Sequence, residues 1–289
     1  FSTSTGNVSV GVIGQIPYYA AAGNTLTATS AIYISTTGNV GIGTSTPLAK
    51  LTIVDGAILA AGTTGDTPMS GAGTRMMWVP SKAAFRAGYV DSDQWDDTKI
   101  GSYSTAFGYN TTASGTYSVA MGREAIASGN YSFAFGSNAL ASGAESFAVG
   151  TNAKATSSYA IALGRGAEAR GQYSFAAARG ATAYAEDSIA IGDAAAAWDY
   201  ASIAIGDLTT AKGQGSVALG YNVTASGTYS TAFGSGIATA ADYTLGIGLK
   251  SGGSGIITQA NTMAIIGARV GIGELSPSSM LSIKGIAPY

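Results

Sequence analysis

Small and large apolar side chains alternate along the middle of the chain. From Gly101 to Ser254 a fourteen-residue line recurs eleven times without insertion or deletion, since 154 residues divided by 14 is 11. Positions four, six and eight are Ser, Ala and Gly in nearly every line, and positions five and seven are large and apolar in 19 of 22 places. Alternation with a period of two predicts a strand with two different faces. Small residues at positions eleven and thirteen predict a second strand in each line.

Two short strands and two turns in fourteen residues predict a narrow, flattened coil, because a strand rises only about 3.3 Å per residue. The inside of such a coil has room for Ser, Ala and Gly, so the small rows are expected to face inward. Regular recurrence of the line predicts that the coils stack into a solenoid. The predicted coil interior includes Ser118, Ala120, Gly122, Ser188, Ala190 and Gly192.

The large apolar residues at positions five and seven must then point out of the coil. In a single chain they form a continuous apolar stripe, and a stripe of this length indicates an interface. Identical copies can bury it by closing around an axis with their stripes inward, which predicts a homo-oligomer. The predicted oligomer core includes Phe133, Phe135, Ile161, Leu163, Ile189, Ile191, Ile203, Ile205, Val217 and Leu219.

A second motif flanks the repeat on both sides. The segments VGIGTSTPLAKLTI (40–53) and VGIGELSPSSMLSI (270–283) share a pattern that predicts a short strand, a turn with Pro and another strand. The chain is therefore divided into a β-rich connector (1–56), a neck or cap (57–100), the fourteen-residue repeat (101–254) and a second connector (255–289).

The neck or cap segment contains no repeat and concentrates Trp, Arg and Asp. One interpretation is a cap, because the first coil of a solenoid needs its open end covered. The alternative is a ligand-contact surface formed by Trp78, Arg86 and Trp95, since Trp and Arg are common anchors of interfaces. Tyr at the third position of seven lines leaves a similar choice between a stacked ladder at a coil corner and an aromatic binding row.

Composition narrows the classes of function. The net charge is -2 with scattered basic residues, which argues against nucleic acid as a partner, and no apolar run reaches the roughly 20 residues of a membrane span. Cys and His are absent, so the common general base and the thiolate nucleophile are missing, and no enzyme, metal site or cofactor is predicted. The chain begins at Phe1 without an initiator Met, which suggests an interior piece of a longer, processed protein.

The repeat resembles the head repeats of YadA-like trimeric autotransporter adhesins. The segments SVAMGREAIASG, SFAFGSNALASG and SIAIGDAAAA carry this resemblance over 154 of 289 residues. It implies a left-handed parallel β-roll, a homotrimer, and an extracellular fibre on the bacterial surface that binds an unknown protein or glycan. The VGIG modules also resemble those of secreted bacterial fibres and phage tail fibres, so a phage-type tail fibre or receptor-binding fibre on a virion is the alternative.

Overall fold

The computed structural model describes residues 7–8, 10–20, 22, 25–249, 255–267, 269–272 and 275–283. The chain forms two compact units, Phe1–Ala61 and Gly62–Tyr289. The described residues form β-strands and only two short 3-10 helices, Pro80–Lys82 and Asp97–Lys99. The all-β prediction is confirmed. Residues 250–254 of the predicted repeat, and the outer ends of both predicted connectors, lie outside the described residues.

The first unit is built around one long strand. Its strands are β1 Asn7–Val8, β2 Gln15–Tyr18, β3 Thr25–Ile34, β4 Val40–Ile42 and β5 Leu51–Ile53. Strand β3 pairs antiparallel with β2 and β4 and parallel with β1. The first VGIG motif supplies β4 and β5, which pair in parallel with Val40 opposite Leu51.

The second unit begins with an antiparallel hairpin. Its strands are β6 Gly73–Val79 and β7 Ala84–Val90, joined by the first 3-10 helix. Beyond the hairpin the chain winds through coils that each contain a longer and a shorter strand. The longer strands are β8 Thr105–Tyr109, β10 Val119–Arg123, β12 Phe133–Ser137, β14 Phe147–Val149, β16 Ile161–Leu163, β18 Phe175–Ala177, β20 Ile189–Ile191, β22 Ile203–Asp207, β24 Val217–Tyr221, β26 Thr231–Ser235, β28 Leu245–Gly248 and β30 Met263–Ile266. The shorter strands are β9 Thr112–Ala113, β11 Ile126–Ala127, β13 Leu140–Ala141, β15 Lys154–Ala155, β17 Glu168–Ala169, β19 Thr182–Ala183, β21 Ala196–Ala197, β23 Thr210–Ala211, β25 Thr224–Ala225, β27 Ile237–Thr239 and β29 Gly255–Ile257.

The longer strands and the hairpin form one sheet of 14 strands, and the shorter strands form a second sheet of 11 strands. Within the coils all pairs are parallel, and residues fourteen apart are opposite each other, as Val119 is to Phe133. The predicted parallel solenoid is confirmed, whereas its association into a homotrimer stays a prediction. Both sheets continue past residue 254 with a longer step, because Leu245 pairs with Met263, 18 residues on (263 − 245).

The second VGIG motif repeats the arrangement of the first. Its strands β31 Val270–Ile272 and β32 Leu281–Ile283 pair in parallel as a separate two-stranded sheet, with Val270 opposite Leu281. In both copies the motif folds into a parallel pair whose strands start eleven residues apart (51 − 40 and 281 − 270).

The coil interior consists of small side chains. Ala120 and Ala190 are fully buried between the two sheets, as are Ser118 and Ser188. The hydroxyl of Ser118 donates to the carbonyl of Gly115 in its own coil at 2.6 Å. Four other Ser hydroxyls of the column donate in the same way, whereas those of Ser132 and Ser216 have no partner among the described residues. Local hydrogen bonds thus satisfy most of the polar atoms that the Ser column brings into an otherwise apolar core.

Two of the predicted interior residues lie elsewhere. Gly122 is exposed and Gly192 is half-buried, with φ angles of 121° and 130°. A Cβ atom on Gly122 would approach the carbonyl oxygen of Gly136 in the next coil to 2.4 Å. Glycine is required at this position because the strand bends through a positive φ directly against a neighbouring backbone, and not because space is short inside the coil.

Candidate interaction surfaces

The apolar stripe lies on the outward face of the 14-stranded sheet. Phe135 and Ile205 keep 47% and 38% of their surface exposed, and the rings of Phe133 and Phe147 stack in adjacent coils at 4.9 Å. All ten predicted oligomer-core residues belong to the longer strands. Phe135, Ile161 and Ile205 are exposed, and Phe133, Leu163, Ile189, Ile191, Ile203, Val217 and Leu219 are half-buried. The structure thus brings them together on one face of a single sheet.

The hairpin extends this stripe beyond the repeat. Phe85 lies opposite Thr105 in the parallel register, and its ring contacts that of Phe107 at 5.5 Å. Trp78 pairs with Phe85 across the hairpin, so its half-buried indole continues the same row. The indole N–H of Trp78 is buried and has no acceptor among the described residues. Trp78 is therefore part of the apolar stripe.

Arg86 and Trp95 are fully buried, which corrects their interpretation as a contact surface. Arg86 is in register with Ala106, so its side chain enters the inward column that Ala occupies in the coils. Its guanidinium donates to the carbonyl and hydroxyl of Ser104 at 2.9 and 2.7 Å, and to the carbonyl of Ala113 at 2.9 Å. The side chain fills the open end of the first coil instead of contacting a ligand.

Trp95 closes the other part of this end. Its indole N–H donates to the carbonyl of Thr111 at 2.8 Å, immediately before β9, the terminal strand of the 11-stranded sheet. Arg86 donates to the carbonyl of Ala113, the last residue of β9, so the two side chains bind carbonyls at the two ends of this strand. An open sheet edge invites pairing with other chains, and these contacts block it.

Burial of the Arg86 guanidinium is unfavourable in free energy, and hydrogen bonds offset this cost. Burial lowers the pKa of Arg86 to about 10, so the guanidinium is still charged at neutral pH. No carboxylate pairs with it among the described residues. Backbone carbonyls and one hydroxyl stabilise the charge instead, which ties the orientation of the hairpin to the first coil.

The tyrosines at the third position form stacked ladders at a coil corner. The rings of Tyr103, Tyr117 and Tyr131 follow one another at 4.6 and 4.9 Å, with interplanar angles of 6° and 10°. Tyr159 and Tyr173 stack in the same way at 4.9 Å. These residues have positive φ angles between 56° and 60°. The ladder interpretation is confirmed for these coils, and it explains why Tyr recurs where the backbone turns sharply.

The acidic segment next to the cap is organised by neutral partners. The Asp91 carboxylate accepts from the side-chain amides of Asn110 and Gln94 and from the Tyr109 hydroxyl, and these bonds lower its pKa. No group of three or more metal-ligating side chains is found in the ranges that the structure describes. The segment is thus a hydrogen-bonded turn joined to the first coil.

A shallow cleft of about 400 Å³ lies beside the hairpin turn. Its lining includes Pro80, Lys82 and Tyr103, and Lys82 forms an ion pair with Asp97 at 3.0 Å.

Comparison with known families agrees with this architecture. The family model of the YadA head domain repeat (2 copies) matches between residues 100 and 236, in the segments 100–125, 113–139, 127–153, 141–167, 155–177, 179–195, 183–209, 200–222 and 211–236. No curated protein matches the chain. Neither helical segment within the described ranges has the length or hydrophobicity of a membrane span.

Proposed function

We propose that the chain, which matches the YadA head repeat between residues 100 and 236, is an adhesive segment and rigid spacer of an extracellular homotrimeric fibre. Proteins with this type of head are surface fibres of the trimeric autotransporter adhesin type, and YadA-like heads form homotrimers. We infer the trimer of this chain, its adhesive role and its lack of catalysis from the surfaces described above.

The apolar stripe is the observation that carries the proposal. Burying a large apolar side chain contributes about 1.5–3 kcal/mol, so covering the exposed part of a side chain such as Phe135 contributes roughly 1 kcal/mol. The other nine predicted core residues are less exposed than Phe135, so the ten together contribute roughly 5 kcal/mol per chain. Closure of identical copies around an axis uses this energy and leaves no apolar face for further growth.

Trp78 supports the same arrangement. Its half-buried indole lies beside Phe85 on the outward face of the hairpin. The hairpin would then belong to the interface, and the fibre would be sealed at the start of the head.

A structural role without catalysis fits the chemistry of the chain. It contains no His and no Cys, and the Ser hydroxyls inside the coils are buried, several of them donating to carbonyls as Ser118 and Ser174 do. Three identical heads on one rod present any binding site three times, which strengthens weak contacts with a surface through multivalency.

Light scattering of the purified chain tests the trimer. Three copies of 28.6 kDa give about 86 kDa, and this mass should persist on dilution from micromolar to nanomolar concentration. A double variant, Phe135→Ser with Ile205→Ser, should lower the mass, whereas Tyr103→Ser at the corner ladder should not. A wild-type chain that remains at 28.6 kDa at micromolar concentration would refute the proposal.

A further inference from the structure

One row on the outward face of the 11-stranded sheet departs from the repeat. The fourteenth position is small in most lines, as in Ser114, Ser128, Ser142, Thr156, Ser226 and Ala240. In four consecutive lines it is large instead, with Arg170, Tyr184, Trp198 and Lys212. We call these four residues the cation-aromatic row. Since the structural repeat does not require large residues here, their presence needs another explanation.

The members of the row contact one another. The rings of Tyr184 and Trp198 stack at 4.0 Å with an interplanar angle of 13°, and the guanidinium carbon of Arg170 lies 4.9 Å from the centre of the Tyr184 ring. Trp198 nevertheless keeps 47% of its surface exposed. Trp78 and Trp95 are half-buried and buried, so Trp198 is the exposed one of the three tryptophans in the sequence.

The second face of the Trp198 indole is directed toward the coil that carries Lys212. Ala197 pairs with Ala211, so the two following residues are neighbours at the interstrand spacing of about 4.8 Å. Lys212 is exposed, and no ion pair or cation-π contact of its ammonium is found within the described ranges. An aromatic face and a cation without a partner are therefore adjacent.

The charges at the other end of the row are already paired. Glu168 accepts from Lys154 at 2.9 Å and from Arg170. Burial raises the pKa of Glu168, but the two cations outweigh this and leave it below its usual value. Arg170 is thus held over Tyr184 and orders the row, while Lys212 is the cation that remains available to a ligand.

The backbone of this face cannot bind a peptide as an added strand. The amide of Tyr184 donates to Ala197 and that of Trp198 donates to Ala211, both at 2.8 Å, so the coils use these groups themselves. Strand addition obtains its affinity from free main-chain groups. What this face offers is aromatic surface and a positive charge. These groups suit a ligand with flat apolar faces and carboxylates.

We propose that the cation-aromatic row binds an acidic saccharide of the uronic acid class, with a sugar ring against the Trp198 indole and a carboxylate on the Lys212 ammonium. Aromatic side chains provide contact area with little loss of conformational freedom, and a charge-assisted hydrogen bond fixes the orientation of the ligand. The inference rests on the proposed function, because the 11-stranded sheet faces outward only if the apolar stripe faces the axis.

Calorimetry of the whole chain with tetragalacturonate tests this site. Trp198→Ala and Lys212→Gln should each weaken binding about tenfold or more. Tyr103→Ala, which removes an exposed aromatic from the corner ladder, should leave it unchanged. Circular dichroism of each variant checks that the solenoid is intact. The uncharged methyl ester of tetragalacturonate should bind the wild-type chain about as weakly as tetragalacturonate itself binds the Lys212→Gln variant.

Two controls identify what is recognised. Poly-glutamate that binds as well as tetragalacturonate, or binding that is unaffected by Trp198→Ala, would overturn the proposal, because charge alone would then explain the interaction. Absence of tetragalacturonate binding to a stable trimer of about 86 kDa would refute the saccharide site and leave the fibre intact as a proposal. A monomer would instead contradict the proposed function itself.

Discussion

Replacing Gly122 by Ala tests why the eighth position of the repeat is almost always Gly. Gly122 has a φ angle of 121°, and an added Cβ would come within 2.4 Å of the carbonyl oxygen and 3.0 Å of the carbonyl carbon of Gly136. The obstacle is backbone of the next coil, which is held by its own strand pairing. It cannot move aside as a flexible side chain would.

The expected loss has two parts. Holding a residue other than Gly in this region of φ costs about 1–3 kcal/mol. Forcing an extra methyl group into close-packed surroundings costs about 1–3 kcal/mol more. Gly122→Ala should therefore lower the free energy of unfolding by roughly 2–6 kcal/mol, which for a domain of this size is a fall in melting temperature of roughly 5–20 °C.

Ala178 supplies a matched control in the opposite direction. It occupies the eighth position in its own line and has a φ angle of 90°. Ala178→Gly should release strain of about 1–3 kcal/mol, reduced by about 0.4–1 kcal/mol for the greater freedom of Gly in the unfolded chain. The variant should gain about 1 kcal/mol or slightly more in stability.

The assay is thermal unfolding followed by far-ultraviolet circular dichroism. Wild type and both variants are compared at one protein concentration and one heating rate, because oligomers melt in a concentration-dependent way and large chains can unfold irreversibly. A Gly122→Ala variant that melts like the wild type would refute the explanation from backbone conformation. So would an Ala178→Gly variant that melts at a lower temperature.

Three further predictions concern the interior, the stripe and the cap. Ala190→Leu should overpack the coil and lower the free energy of unfolding by about 1–3 kcal/mol or more, as measured by thermal unfolding. Ile189→Ala should mainly lower the mass measured by light scattering. If the two variants had the opposite effects, the assignment of position six to the interior and position five to the outer face would be wrong. Ser118→Ala loses a hydrogen bond to a carbonyl and should lower the free energy of unfolding by about 1 kcal/mol. Ser132→Ala should be close to neutral in the same thermal unfolding experiment, because the Ser132 hydroxyl has no partner among the described residues. Arg86→Ala opens a cavity and should cost roughly 2–4 kcal/mol in denaturant unfolding, and Arg86→Met, which keeps the volume without the charge, should cost less; equal losses would assign the effect to the charge alone.

The alternation of small and large residues was enough to predict the solenoid and most of its interior. Ser at position four and Ala at position six are buried as expected, because a period of two assigns them to one face. Gly at position eight follows the same alternation and was therefore predicted to lie inside. A small residue can be required for space or for backbone conformation, and the pattern of sizes does not distinguish these two causes.

The cap shows a different limit of sequence reasoning. Arg86 and Trp95 have the composition of an interface, but their burial depends on their position at the end of a solenoid, which only the tertiary structure reveals. A signal was present in the sequence. Residues Gly88 and Tyr89 repeat Gly108 and Tyr109 of the first coil, and the structure pairs them in register. This partial copy of the line places Arg86 at the inward sixth position.

The departures from the repeat concentrate in one stretch, which bears on where function lies. In the line 171–184, Ala177 replaces a large apolar residue of the stripe, and Ala178 replaces the Gly found at the eighth position of the other lines. This coil therefore contributes less apolar surface to the proposed trimer interface than its neighbours do. The same line supplies Tyr184 to the outer face and Arg179 to an ion pair with Asp193 of the next coil. In a solenoid each coil depends only on its two neighbours. Regular coils on both sides can therefore support one coil whose residues are chosen for contacts on its outer surface, and the repeat itself makes such a local site possible.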